Sequence, residues 1–324
     1  MKPFYYLIYG ILQVVLFPIA LLGLALATFK QVIGSRLLGV SATGIEVINA
    51  RWEMHIFGMR SDEASVKLNK TLPNNSLLGL WLQFIPLYTL YKISGQNLIY
   101  PRYVDPHEAT LRDVPIVRTL CLDKLINKSK DEVEQFVLMG AGYDTRCSDM
   151  LVNTSLKHYE IDMKQTQILK IDYLKKAEIP WDHITFVDVD FTKEDWYDRL
   201  EENGFDSSKK TMFLWEGVTL YLSEDDIRHT INSIRDRCAK GSVLIADFYS
   251  ESFVKGEYVT GLGWALKMFH ITNEYTDYGM KFSTEHEKFF KDFVTSTEMN
   301  LGDHFFLGSI SDKGPYMVVA EFSN

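Results

Sequence analysis

The sequence predicts an open, mostly parallel α/β sheet with helices on both faces, preceded by an apolar N-terminal helix. Three observations predict it. Between about residues 110 and 250, short β-rich runs alternate with helical patterns, the mark of successive βαβ units. The run "VLMGAGYDTR", Val137 to Arg146, places a Gly-x-Gly turn directly after an apolar strand, where a backbone can approach a ligand closely. At the C-terminus, "HFFLGSI" and "YMVVAEF" flank "SDKGP", which reads as a β-hairpin.

The first element is the anomaly. From Phe4 to Phe29 there is no charged residue. Such a helix would be about 39 Å long at 1.5 Å per residue, against a bilayer core of about 30 Å. Pro18 would kink it, which membrane helices tolerate. A secretory leader has a shorter apolar core. Residues 1–34 are therefore read as a membrane anchor or single span, with the catalytic part on the cytosolic side. Residues 35–109 are read as a helical lid or substrate region. They include a second apolar stretch, Leu77 to Tyr91, which is short for a span and contains Pro86.

Residues 110–324 then follow the regular pattern. A helix is predicted over Val114–Lys128 and a strand over Gln135–Met139, followed by the glycine turn and a short helix. The second strand covers 157–162, a helix about 163–177, and the third strand 184–190. After the helical "KEDWYDRLEENG" comes a strand at 211–217. Ser223 is an N-cap followed by acidic residues, and Gly241 stands just past that helix. A fifth strand covers 242–249, and the hairpin closes the chain.

Composition excludes some functions. The 34 basic and 43 acidic residues give a net charge of −9, and no dense Lys/Arg cluster suggests a nucleic-acid partner. Cys121, Cys147 and Cys238 are scattered, without CxxC or Cys/His spacing, so they read as reduced packing residues, with no metal expected.

In an open α/β sheet, ligands lie beyond the carboxyl ends of the strands. The first strand ends in Gly140-Ala141-Gly142 and Asp144, the second in Glu160 and Asp162, the third in Asp188, Asp190 and Phe191, and the fourth in Glu216, with Tyr221 soon after. A dinucleotide site would carry a third glycine where Thr145 stands. Acids at successive strand ends need partners, and a cationic, hydroxyl-rich, phosphate-free nucleoside would supply them. S-adenosylmethionine has that chemistry.

The ordered runs "FVLMGAGYDTR", "HYEIDMKQTQILK", "FVDVDFTKEDWYDRLEENGFD" and "TMFLWEGVTLYLSEDDI" resemble the leucine carboxyl methyltransferase family and its small-molecule relatives, as does the upstream "VRTLCLDKLI". The resemblance covers about residues 110–250. It implies a Rossmann-like class I methyltransferase sheet of about seven strands and S-adenosylmethionine as cofactor. Arg118 then matches the arginine that pairs with the cofactor carboxylate. Gly140 and Gly142 match the close turn, and Asp162, with Glu160 beside it, the ribose acid. Asp190 and Phe191 match the adenine side, and Glu216 the acid near the methionine ammonium. Tyr221 is the implied residue near the methyl-transfer pocket. For the family's N-terminal cofactor lysine, Lys92 and Arg51 both stay open.

A carboxylate acceptor is already ionised and needs no base, whereas a hydroxyl acceptor does. No His-Asp pair stands at a strand end, and His270 is the best lone base candidate. The expectation is O-methylation of a carboxylate, less favourably a hydroxyl, on a lipophilic or membrane-associated acceptor. The alternatives are an NAD-dependent oxidoreductase and a non-catalytic membrane-tethered protein that keeps the fold.

Overall fold

The computed structural model describes residues 2–191, 193–258, 275–308 and 312–324. His270 and residues 309–311 of the expected hairpin lie outside them. Seven strands form one sheet in the order β3-β2-β1-β4-β5-β7-β6. They are β1 Gln135–Met139, β2 Lys157–Asp162, β3 Ile184–Asp188, β4 Thr211–Trp215, β5 Val243–Tyr249, β6 Asn300–Leu307 and β7 Met317–Ser323. The first five are parallel, and β7 lies antiparallel between β5 and β6. This is the seven-stranded sheet with a terminal hairpin that the sequence implied.

Every residue of β1 and β4 is buried, because a central parallel strand is covered on both faces. Alternation divides their side chains between two cores. Val137, Met139, Phe213 and Trp215 face one, with Trp196, Ile227 and Phe290. Phe136, Leu138, Met212 and Leu214 face the other, with Leu122, Leu125 and Ile126. The observed strands β3 and β4 stop two residues earlier than the apolar pattern suggested. Asp190, Glu216 and Gly217 therefore lie in the turns beyond the strands. The chain leaves β1 toward β2 and β3 and later returns to β4 on the other side. The strand order thus reverses between β1 and β4, the position at which a sheet of this kind forms its ligand crevice.

Helix α6 (Val114–Ser129) leads into β1, and α7 (Lys164–Lys176), α8 (Trp196–Glu202) and α9 (Glu224–Arg237) connect the later strands. The Ser223 side chain accepts from the Asp226 N–H in a reciprocal capping box, the start the sequence predicts for α9. After β1 there is only a 3-10 turn, Arg146–Ser148, in place of the expected short helix.

The N-terminal region is helical. Helix α1 (Lys2–Phe29) runs on through a π-helical turn, Lys30–Gly34, into α2 (Ser35–Leu38). By length and composition this continuous helix could cross a membrane. Then come α3 (Thr43–Ile56), α4 (Glu63–Thr71) and α5 (Leu77–Ser94). The α5 helix packs on α3 through aromatic rings: Trp81 meets Trp52 with centroids 5.1 Å apart, and Tyr88 meets Phe57 at 5.8 Å. The other side of α5 carries α1, with backbones brought together at glycines. A Cβ on Gly79 would lie 2.7 Å from the Gly23 carbonyl oxygen and 3.0 Å from the Ala27 nitrogen. Gly79→Val should therefore separate α1 from α5 and cost about 1–3 kcal/mol. Thermal unfolding of the full chain measures it, and an unchanged midpoint would mean that the two helices are not in contact.

Candidate functional site

The turn after β1 begins with Gly140 at φ 65° and Gly142 at φ 42°, a left-handed backbone that other residues resist. A Cβ on Gly140 would also collide with Val218, just beyond β4. The Gly142 N–H donates to Asp162 Oδ2 at 2.6 Å, and the Met163 N–H donates to Oδ1 at 2.7 Å. Asp162 thus ties the end of β2 to the β1 turn. Burial raises its pKa, and the two backbone donors counter that rise.

Beyond β4, Glu216 is the centre of a buried ionic cluster. Its Oε1 accepts from Arg118 at 3.0 Å, and its Oε2 accepts from Arg146 at 2.5 Å and Arg51 at 3.1 Å. Asp144 Oδ2 accepts from Arg51 at 2.7 Å and Arg146 at 2.6 Å. Arg146 also reaches Asp123 at 2.8 Å. Arg118 donates to the Tyr249 hydroxyl and lies 3.6 Å from Asp247. Asp247 in turn accepts from the Gly217 N–H at 2.8 Å. Burial alone would raise the Glu216 pKa, but the charges of Arg146, Arg118 and Arg51 outweigh it and hold the value at about 2. Asp247 behaves oppositely: burial pushes it up to about 7, against the pull of Arg118.

The cluster leaves donors over. Among the described residues, Arg51 Nε and Nη1, Arg118 Nε and Arg146 Nη2 are buried with no hydrogen-bond partner. Unpaired buried donors are costly, and on guanidinium groups they match an incoming carboxylate.

The structure brings Arg118, Gly140, Gly142, Asp162 and Glu216 to the ends of β1, β2 and β4 around this crevice. Phe191 packs against Trp196 and Trp215, with centroids 6.2 and 6.5 Å away. Asp190 pairs with Lys193 at 2.6 Å in the same turn. The Tyr221 hydroxyl donates to Thr43 Oγ1 at 3.0 Å, joining the turn after β4 to the start of α3. Glu160 stands apart, as the counter-ion of buried Lys170 at 2.5 Å on the α7 side. Of the two basic residues left open by the sequence, Arg51 enters the cluster, whereas Lys92 is exposed over the rings of Tyr88 and Tyr91.

Sequence reasoning missed Arg146, Asp247 and Tyr249 as parts of this site. The signal for Asp247 was a lone acid inside the apolar strand "SVLIADFY". Arg146 was assigned to the turn, yet it is fully buried and bridges three acids.

Glu216→Gln should cost about 3–5 kcal/mol, since it leaves three buried guanidinium groups short of a countercharge. The stability supplied by Glu216 is present above its ordinary value of 4.5 and is lost as pH falls toward about 2. Asp247 works in the other direction: its stabilising neutral form is lost as pH rises from 3.8 through about 7. Melting midpoints against pH should thus fall less steeply in acid for Glu216→Gln than for the unmodified chain, and Asp247→Asn should flatten the decline between pH 4 and 7.

Comparison with known proteins places this crevice in context. The leucine carboxyl methyltransferase family matches residues 96–235, which contain the β1 turn, Asp162, Asp190 and Glu216. YktD of Bacillus subtilis, provisionally named an S-adenosyl-L-methionine-dependent methyltransferase, is 34% identical over 146 residues, covering 44% of this chain and 47% of that protein. A Frankia alni protein of the same provisional name is 32% identical over 130 residues, covering 39% of this chain and 45% of its own. The chain spans about half the length of these curated relatives. Among solved structures, a provisionally named methyltransferase from Thermobifida fusca aligns with a TM-score of 0.47 at 16% identity, over 80% of this chain and 92% of that one. Over residues 96–235, this chain carries the sequence pattern of the leucine carboxyl methyltransferase family.

Proposed function

We propose that the protein is a membrane-anchored, S-adenosylmethionine-dependent O-methyltransferase acting on a carboxylate of a lipophilic or membrane-associated acceptor. One observation carries the reading. At the strand-order reversal, buried guanidinium donors without partners on Arg51 and Arg118 lie beside Glu216, and Asp162 faces the same turn. That donor and acceptor set fits a zwitterionic amino acid joined to a ribose, and the relatives' names support it.

In this reading Arg51 and Arg118 hold the cofactor carboxylate. Glu216 orients both arginines and faces the ammonium group. Asp162 accepts from the ribose hydroxyls, with Gly140 and Gly142 keeping the backbone out of the way. Asp190 and Phe191 border the adenine. Glu160, placed with the cofactor on the family resemblance, acts through Lys170 beneath the turn. Tyr221 borders the methyl-transfer pocket and positions it through Thr43. The bound sulfonium supplies an electrophilic methyl group. The chain aligns acceptor and cofactor and excludes water, and an ionised carboxylate requires no general base. We place the anchor at residues 1–34, the lid or substrate region at 35–109 and the methyltransferase domain at 110–324, with the catalytic part cytosolic.

No observation favours a nicotinamide dinucleotide. Where a pyrophosphate would need a third glycine, the Thr145 side chain stands instead, its hydroxyl donating to the Asp62 carboxylate at 3.1 Å.

In calorimetry, Asp162→Ala and Arg51→Ala should each weaken S-adenosylmethionine binding at least about tenfold, or 1.4 kcal/mol. Lys92→Ala should leave it unchanged. Unchanged binding in both site variants would refute the site. With methyl-labelled cofactor and membrane lipid extract, mass spectrometry should find the label in a base-labile ester. Label only in base-stable ethers would move the reaction to hydroxyl groups.

A further inference from the structure

The N-terminal helix has the composition of a span, yet its packing does not suit one. Gly23 lies against Gly79, Leu82 and Gln83, while Gly79 lies against Gly23 and Ala27. Residue numbers therefore rise along α1 as they fall along α5, and the helices are antiparallel neighbours. The α5 helix is about 27 Å long, so it accompanies α1 for most of its length. The opposite side of α5 is fixed to α3 by Trp81, Phe84, Tyr88 and Tyr91 against Trp52 and Phe57. That same α3 holds Arg51 in the ionic cluster.

A helix upright in a bilayer would carry α5 and this flank of α3 into the hydrocarbon. Lys92 of α5 would follow, as would Glu53 and Arg112 on the Tyr100 ring that stacks on Phe84, at a high cost for charge in lipid. The opposite face of α1 is apolar and uncovered, with Val14 78% exposed and Leu7, Ile11, Val15 and Leu22 around it.

Charge selects the occupant of that face. Although the chain carries −9 overall, residues 1–45 and 64–104 contain no Asp or Glu. They do contain Lys2, Lys30, Arg36, Lys67, Lys70, Lys92 and Arg102. The two stretches that supply α1 and α5 are thus uniformly basic, which complements an anionic lipid surface.

Resting on the membrane-anchor reading above, we infer that α1 lies in the plane of an anionic bilayer surface, with α5 as its inner support, and does not cross the membrane. Its outer face sits in the headgroup and acyl boundary, and both of its ends stay on one side. The same helix continues to Leu38, and Thr43, five residues later, meets Tyr221. An amphiphilic acceptor can then present its head to the crevice while its tail remains in the leaflet.

The test uses the full chain with one epitope tag before Met1 and another inserted after Gly39, in the exposed turn between α2 and α3 and so on the chain between α1 and α5, in sealed membrane vesicles from expressing cells. Protease added to intact vesicles should remove both tags, or neither until the vesicles are opened. If only one tag is protected, α1 crosses and the in-plane placement is overturned, while the anchor reading survives. If the chain does not float with the vesicles at all, the anchor reading fails and takes this inference with it. Purified chain should also float better with phosphatidylserine-containing vesicles than with phosphatidylcholine alone; equal flotation would overturn the anionic preference.

Discussion

The structure depends on one buried carboxylate. Glu216, just past β4, is held by Arg118 of α6, Arg146 of the β1 turn and Arg51 of α3. Segments far apart in the chain therefore meet at one charge. Buried ion clusters gain little net stability over apolar packing, but breaking one strands charge where water cannot reach it. Such a cluster fixes geometry more than it stabilises the fold. Here it fixes the mouth of the strand-order reversal, the place where an α/β sheet binds its ligand.

The N–H donors of Arg51, Arg118 and Arg146 outnumber the acceptors that the described residues offer them. Among the described residues, Arg51 Nε and Nη1, Arg118 Nε and Arg146 Nη2 are buried and face no acceptor. Asp247 and Tyr249 on β5 hold Arg118 from behind, and Asp247 also holds the Gly217 N–H. The cluster is thus supported from several sides, as a site that must keep donors within tenths of an ångström requires. The N-terminal helices extend the same logic outward: α3 reaches from the cluster to the aromatic layer, α5 covers that layer, and α1 covers α5.

Much of the sheet was legible in the sequence because central parallel strands are short, wholly apolar runs bounded by turn residues. After the polar Gln135, Phe136–Met139 is such a run, and the structure has the strand at the expected Gln135–Met139. The Ser223 cap was equally plain, since it depends on neighbours three residues apart. Strand ends were less certain: "VDVD" continues the β pattern, but its pairing ends at Asp188. Among the site residues, Asp162 and Glu216 could be found because one ends a strand and the other directly follows one. Glu160 lies on the same strand as Asp162, yet its side chain is engaged by Lys170, ten residues later, and no local pattern signals that pairing.

What the sequence determined by itself was local or periodic: the order of strands and helices, the glycine turn, the acids at strand ends and the long uncharged N-terminal run. Each follows from interactions between residues close in the chain, so the order of residues suffices to state it. The tertiary structure alone decided that Arg51 enters the cluster and Lys92 does not, and that Arg146 bridges three acids. It also decided that α1 lies along α5. These outcomes turn on which distant surfaces meet, and a pairing such as Arg51 with Glu216 is set by the sheet's topology, because neither residue's neighbours contain the other.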